Sequence, residues 1–380
     1  MRRLVLPLLL LVSYSALAAD SFLSNFIDPD DGWFDGSQFL LDYPYGVLPV
    51  PVVITEPAVG EGLGLAAVYF HDADPAWDGE RVGEDGRLHP LSTSAVVAAA
   101  TNNDSKIVGG GHFGHYKRDT LRYEGMVGAA DINLKFYGLG DGAENSGGFG
   151  FNAKALFVSQ QLAFRLGRSN WFVGGELQYT DMETKFKTGI DIPGLDTFDF
   201  DSTNVALGVL AFYDSLSNPY TPHSGVLSDV SYKRYDESLG GDFDYNLLDL
   251  KNQVHFTPWQ SLAVGLRLDA SFLSGDAPFW ALPFISMRGI PALRYQGENV
   301  VTAEVQGAWS LHPRWQLLGF AGAGQATQDR DNLGDAETHV SYGAGFRYLA
   351  VRQLGLNMGL DVAKGPEETV WYVSFGTKFM

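Results

Sequence analysis

The residues that could do chemistry in this chain are charged rather than nucleophilic. Met287-Arg288-Gly289-Ile290 lies in a long connection, residues 273–297, and Glu304 follows on an alternating stretch. Gly289 lets the backbone turn tightly beside Arg288, whose planar fork of N–H groups suits a carboxylate. A charge-assisted, bidentate pair between Arg288 and Glu304 would pin the connection inside whatever encloses it; the alternative is a solvated loop arginine. His112 and His115 are three apart, which on a strand sends them to opposite faces, so a shared metal is not expected. Asp329-Arg330-Asp331-Asn332-Leu333-Gly334 faintly resembles a calcium loop but lacks ligands at its fifth and twelfth positions, and reads as a solvated acidic loop. There is no G-x-S-x-G elbow, Walker loop or cysteine nucleophile, and no spacing of Ser, His and Asp singles out a triad. A non-enzymatic protein with no cofactor and no metal is expected.

The segments that carry these residues alternate. Val301, Ala303, Val305, Gly307 and Trp309 oppose Thr302, Glu304, Gln306, Ala308 and Ser310. Leu262, Val264, Leu266, Leu268, Ala270 and Phe272 oppose Ser261, Ala263, Gly265, Arg267, Asp269 and Ser271. Residues 340–348 repeat the pattern. One face suits lipid and the other a wet lumen, which is the period-two signature of a transmembrane barrel strand. Short turns such as 117–120, 167–170, 257–260, 311–314 and 351–353 alternate with long acidic, glycine-rich connections, the arrangement of periplasmic turns and extracellular loops. Segments 71–92 and 214–224 are longer than a minimal periplasmic turn.

Composition agrees. The chain has 45% hydrophobic residues, 45 glycines and no cysteine. A barrel needs no disulfide, because each strand is hydrogen-bonded on both sides. A net charge of −19 argues against nucleic acid as a partner. The start Met1-Arg2-Arg3, the apolar run Leu4–Val12 and Ala16-Leu17-Ala18 have the three parts of a secretory signal peptide. No later apolar run reaches the ~18 residues of a membrane helix. The expectation is an all-β protein: a transmembrane antiparallel β-barrel of about 16 strands in the bacterial outer membrane. Residues 1–18 would be the signal peptide and 19–46 a short periplasmic segment, whether linker, plug helix or cap over the lumen. Residues 47–380 would be the barrel, with strands at 48–56, 62–70, 93–101, 106–116, 121–137, 150–166, 171–183, 203–213, 225–236, 244–256, 260–272, 298–310, 315–325, 339–350, 354–363 and 370–379.

Two motifs give a resemblance. Asp214-Ser215-Leu216-Ser217-Asn218-Pro219-Tyr220-Thr221-Pro222-His223-Ser224-Gly225 resembles the D-x-x-x-N-P-x-x-P-x-x-G turn of the bacterial surface antigen superfamily, the BamA/TamA-like outer-membrane barrels. Its prolines fix φ and end pairing, and Gly225 restarts a strand. Arg288-Gly289 is similar to the family's R-G-F/Y motif at the tip of a loop between strands eleven and twelve that folds into the lumen. The resemblance implies a latch of Arg288 and Gly289 with Glu304 on strand twelve. The family's second acid, on strand thirteen, aligns with Gly322, so the latch would be looser or use another acid. The C-terminal stretch, with Phe375 and Phe379 on one face, resembles the terminal signal read by the barrel assembly machinery. POTRA repeats have no counterpart, so the resemblance is to the short branch without them. It implies a role in protein or lipid transport or assembly, with outer-membrane lipid, the assembly machinery and an unidentified periplasmic protein as partners. A passive or selective pore and a barrel hydrolase are the alternatives.

Overall fold

The computed structural model describes residues 26–38, 47–71, 87, 91–137, 149–187 and 197–375. Sixteen strands form one antiparallel sheet in chain order. They are β1 Val47–Ile54, β2 Gly62–Phe70, β3 Thr93–Thr101, β4 Lys106–Tyr116, β5 Leu121–Phe136, β6 Phe149–Arg165, β7 Trp171–Lys187 and β8 Thr197–Asp214. They continue as β9 Gly225–Tyr235, β10 Tyr245–Trp259, β11 Leu262–Gly275, β12 Asn299–His312, β13 Trp315–Thr327, β14 His339–Val351, β15 Leu356–Lys364 and β16 Thr369–Phe375. Among the described residues no helix is long and apolar enough to cross a membrane. The crossing elements are the strands, and the sheet is a barrel of the outer-membrane type.

Side-chain exposure follows the alternation. On β11 and β12, Leu266, Leu268, Val305 and Trp309 are exposed on the outer wall, while Arg267, Thr302, Glu304 and Gln306 are buried inside. The strand boundaries read from the sequence hold to within a few residues except in the β7–β8 hairpin. There pairing continues to Lys187↔Thr197, although a loop was expected over 184–202. The extra residues still alternate, with Phe186, Phe198 and Phe200 on one face and Lys185, Lys187, Asp199 and Asp201 on the other, but their charges make the stretch read as an acidic loop while the backbone ladder runs on.

The sheet is uneven around its circumference. β8 has 18 residues and β1 has 8. β1 and β16 lie side by side and form the seam at which the first and last strands meet.

Of the N-terminal segment, residues 26–38 are described. Residues 26–38 make a tight turn, closed by an Ile27↔Phe34 bridge, that grips the periplasmic rim at the β12–β13 and β14–β15 turns. Arg314 is held by Asp28, by Asp31 at 2.7 Å and by Asp35 at 2.6 Å. Arg352 joins Asp28 at 2.8 Å and Asp31 at 2.9 Å. Trp33 packs on Trp315 and Tyr348, and Tyr348 donates to the Phe34 carbonyl at 2.5 Å. Trp315 and Tyr348 pair on the same face as the outward Leu317 and Phe346, so residues 26–38 clasp the outside of the rim. The signal-peptide assignment lies outside the described residues.

Hydrogen bonding from Arg314 holds the Asp31 carboxyl down to about 2. Burial pushes Asp35 up, but hydrogen bonds from Ser37 and Arg314 outweigh it and leave it below its ordinary value. Both acids are lowered on folding, so their support for the clasp is complete above the ordinary carboxylate pKa of ~4 and is lost as pH falls toward about 2. Arg314→Ala should release the segment at neutral pH, with the barrel still heat-modifiable on gels. Limited proteolysis before Val47 should speed up about tenfold for each ~1.4 kcal/mol lost. Wild-type cleavage rates that stay flat from pH 6 to pH 2.5, or equal rates in the variant, would show that these ion pairs do not hold the clasp.

Candidate functional site behind the barrel seam

The connection between β11 and β12 turns inward, and its middle is buried: Ile285, Met287, Arg288 and Ile290 are all under a tenth exposed. Ile285, Met287, Ile290, Tyr295 and Val300 form an apolar cluster, so the loop has its own small core against the wall. That core carries Arg288 into a polar group on the inner faces of β11–β16. Its guanidinium lies 3.1 Å from Asp361 of β15 and 3.2 Å from Gln306 of β12. Its plane stacks over the Phe320 ring at 3.5 Å. Gly289 has φ +88° and donates its N–H to the Tyr372 hydroxyl of β16 at 2.9 Å. A Cβ there would come within 2.9 Å of Gly365 backbone nitrogen, so glycine is required both for conformation and for space.

The expected pair is rearranged. Arg288 and Glu304 are 3.7 Å apart, an ion-pair distance without the bidentate hydrogen bonds foreseen from sequence. Glu304 is instead bound by Arg267 at 2.9 Å. The bidentate geometry belongs to Arg347 and Asp361, at 2.5 and 2.8 Å. Asp361 is fully buried and also accepts from Ser374 at 3.1 Å. The acid missing from strand thirteen is therefore supplied by β15. The glycine at 322 is a fit to this plan: a Cβ there would lie 2.5 Å from Glu304 Cγ and 2.8 Å from Met287 Sδ. Sequence reasoning missed Asp361, Arg347 and Arg267. The available signal was a lone charge on the polar face of an otherwise apolar strand.

The loop also bridges the seam. It touches β16 through Tyr372, and Ala292 donates to Glu56, just past β1, at 2.9 Å. A cavity of about 350 Å³ opens there, lined by Val53, Glu56, Met287, Arg288, Tyr372 and Val373.

The other sequence candidates sit elsewhere. Asp214 binds Arg122 at 2.7 Å and caps Leu216 N at 3.0 Å, at the periplasmic rim. Arg122 in turn holds the buried Asp119, which also binds Arg165 and His115. Burial pushes the Asp119 carboxyl up, yet hydrogen bonds from Arg122 and His115 carry it well below its ordinary range. Asn218 accepts from Tyr220 N and Thr221 N at 2.7 and 3.2 Å, Pro219 sits within that turn, and Pro222 is buried. Thr221 donates to the Gly355 carbonyl of the β14–β15 turn. Gly225 has φ +110°, and a Cβ there would strike the Ser215 carbonyl. Asp329 caps a short 3-10 turn by accepting from Asp331 N at 3.0 Å. Phe375 ends β16, and Phe379 lies outside the described residues.

Solved structures share this architecture. BamA from Haemophilus ducreyi lacking POTRA domains 1–3 matches with TM-score 0.56 and 14% identity, over 94% of this chain and 81% of that one. The fold is a BamA-type barrel. CdiB from Acinetobacter baumannii matches with TM-score 0.53 and 12% identity, over 87% of this chain and 59% of that one. CdiB from Escherichia coli gives TM-score 0.58 and 11% identity, over 86% and 61%. The chain thus spans about three fifths of each CdiB chain. No protein-family profile and no curated protein matches it.

The latch can be tested by a double-mutant cycle. Arg288→Ala leaves Asp361 with Arg347 and leaves Glu304 with Arg267, so neither acid is stranded. The expected loss is about 1–2 kcal/mol, less than the ~3–5 of a stranded buried ion. Asp361→Asn should cost more, since two arginines then lose their shared carboxylate. Denaturant midpoints of the double variant should fall short of the summed singles by at least about 0.5 kcal/mol. Strict additivity would mean the two side chains do not communicate.

Proposed function

We propose that this is a non-enzymatic outer-membrane protein of the bacterial surface antigen superfamily that handles protein or lipid at the outer membrane. Its β1–β16 seam is the working edge and the Arg288 loop the gate behind it. The observation that carries this reading is the coincidence of three features at one place. The first and last strands meet there, the loop hydrogen-bonds to both sides of the seam, and the cavity lined by Val53 and Val373 reaches Arg288. A seam between first and last strands that parts would expose an edge able to accept an added strand. Loop packing in the lumen supports a restricted conductance rather than an open pore. The assembly machinery would read the terminal strand, and a periplasmic protein would supply client binding.

The chain has no cysteine, so a Val53→Cys, Val373→Cys pair can be joined across the seam by a flexible bis-maleimide. In cells, cross-linking should reproduce the detergent sensitivity of a deletion strain, whereas the unlinked pair should behave as wild type. Full complementation by cross-linked protein would exclude the seam as the working edge.

Deleting Phe379 and Met380 should lower outer-membrane levels far more than deleting Met380 alone. Equal levels for the two truncations would show that the terminal aromatic is not read.

A further inference from the structure

The strand register aligns one row of side chains along the outer wall from β1 to β6: Val47, Tyr69, Ser94, His112, Gly125 and Gln160. This row faces lipid, because Leu65, Val96, Val108 and Val127 on the same face are exposed. Ser94 lies near the end of β3, whereas Gln160 lies within the apolar stretch of β6. Along β6, Gln160 has Leu156 and Val158 on one side and Leu162 and Phe164 on the other. A polar row within a lipid-facing wall is costly unless something satisfies it, and such groups mark functional sites.

The row is organised. Ser94 Oγ lies 2.8 Å from His71 Nε2 and 2.8 Å from His112 Nδ1. His112 Nε2 lies 2.6 Å from the Tyr116 hydroxyl, and Tyr123 donates to Gln160. With neutral rings the hydrogen bonds of this chain run in one direction or the other, set by the tautomers of His71 and His112, and the row ends at the exposed Tyr116 hydroxyl. The ring nitrogen that a hydrolytic triad would give to a carboxylate is taken by Tyr116, which favours binding over nucleophilic attack. Beside this row Gly110 and Gly125 leave a trough of about 490 Å³, walled by Val96 and Val127.

We propose that this outer-wall trough binds one diacyl phospholipid of the periplasmic leaflet. Hydroxyl, imidazole and amide donors would meet its ester and phosphodiester oxygens, and one acyl chain would lie along the glycines. The occupant follows from continuity: the trough is part of the lipid belt, and its polar row lies toward the ends of β3–β6 that join at the short turns 117–120 and 167–170. The trough reaches Val47 of β1, so the bound lipid would sit next to the seam. The assignment does not depend on the seam being a working edge.

The full-length barrel would be equilibrated with dioleoyl phosphatidylethanolamine in detergent, and bound lipid counted by native mass spectrometry. Wild type should retain one lipid through detergent exchange. Gly110→Leu should abolish retention, because a Cβ at 110 presses to 3.2 Å from both the Ala95 carbonyl and Val96, which must give by a few tenths of an ångström, and the longer side chain then fills the trough. Tyr116→Phe should weaken it about fivefold, the worth of one hydrogen bond. Val209→Leu, on the exposed face of β8, should match wild type. Heat-modifiability checks that each variant is folded, and Tyr116→Phe decides the matter if Gly110→Leu is not. Equal retention in all variants, or equal loss in Val209→Leu, would overturn the site. Ser94-dependent release of lysophospholipid would overturn it in favour of hydrolysis.

Discussion

Asp361 is a carboxylate with no access to solvent, held by arginines from two different parts of the chain. Arg347 belongs to the neighbouring strand and keeps the acid charged inside the wall. Arg288 belongs to a loop and uses that charge as an anchor. A buried ion is tolerable only when its hydrogen bonds are filled, so the loop position and the wall are coupled. Withdrawing Arg288 removes one partner without stranding the acid, because Arg347 and Ser374 remain. That makes the loop arrangement reversible at modest cost, which a gate needs and a rigid plug does not.

Much of the barrel was legible in the sequence because lipid imposes a strict rule. Every backbone group in the wall must be paired, so the strands must alternate, and alternation is readable. The β11 and β12 assignments rest on Leu266, Arg267, Leu268, Glu304 and Val305, and each faces the side its type predicts. Legibility stopped short in the β7–β8 hairpin. There Phe186, Phe198 and Phe200 still alternate with Lys185, Lys187, Asp199 and Asp201, but the density of charge outweighs the period and reads as a loop.

The latch was legible only in part, for a different reason. Arg288 and Glu304 are close in sequence, while Asp361 lies 73 residues beyond Arg288. Nothing local marks an acid as the partner of a distant arginine. The N-terminal clasp shows the same limit: Asp28, Asp31 and Asp35 look like a solvated acidic stretch until Arg314, nearly three hundred residues later, is brought among them.

The seam gathers these features on one side of the barrel. The latch loop touches β16 and the link after β1 from within and above. The clasp grips the rim of β12–β15 from below, and the chain leads from it into β1. The polar row begins at β1 on the outside. The tall strands β5–β8 have long ladders and need no such help. Side-chain and loop contacts therefore supplement the backbone ladders on this side of the barrel. Such contacts can be exchanged one at a time, whereas a ladder must be broken in series.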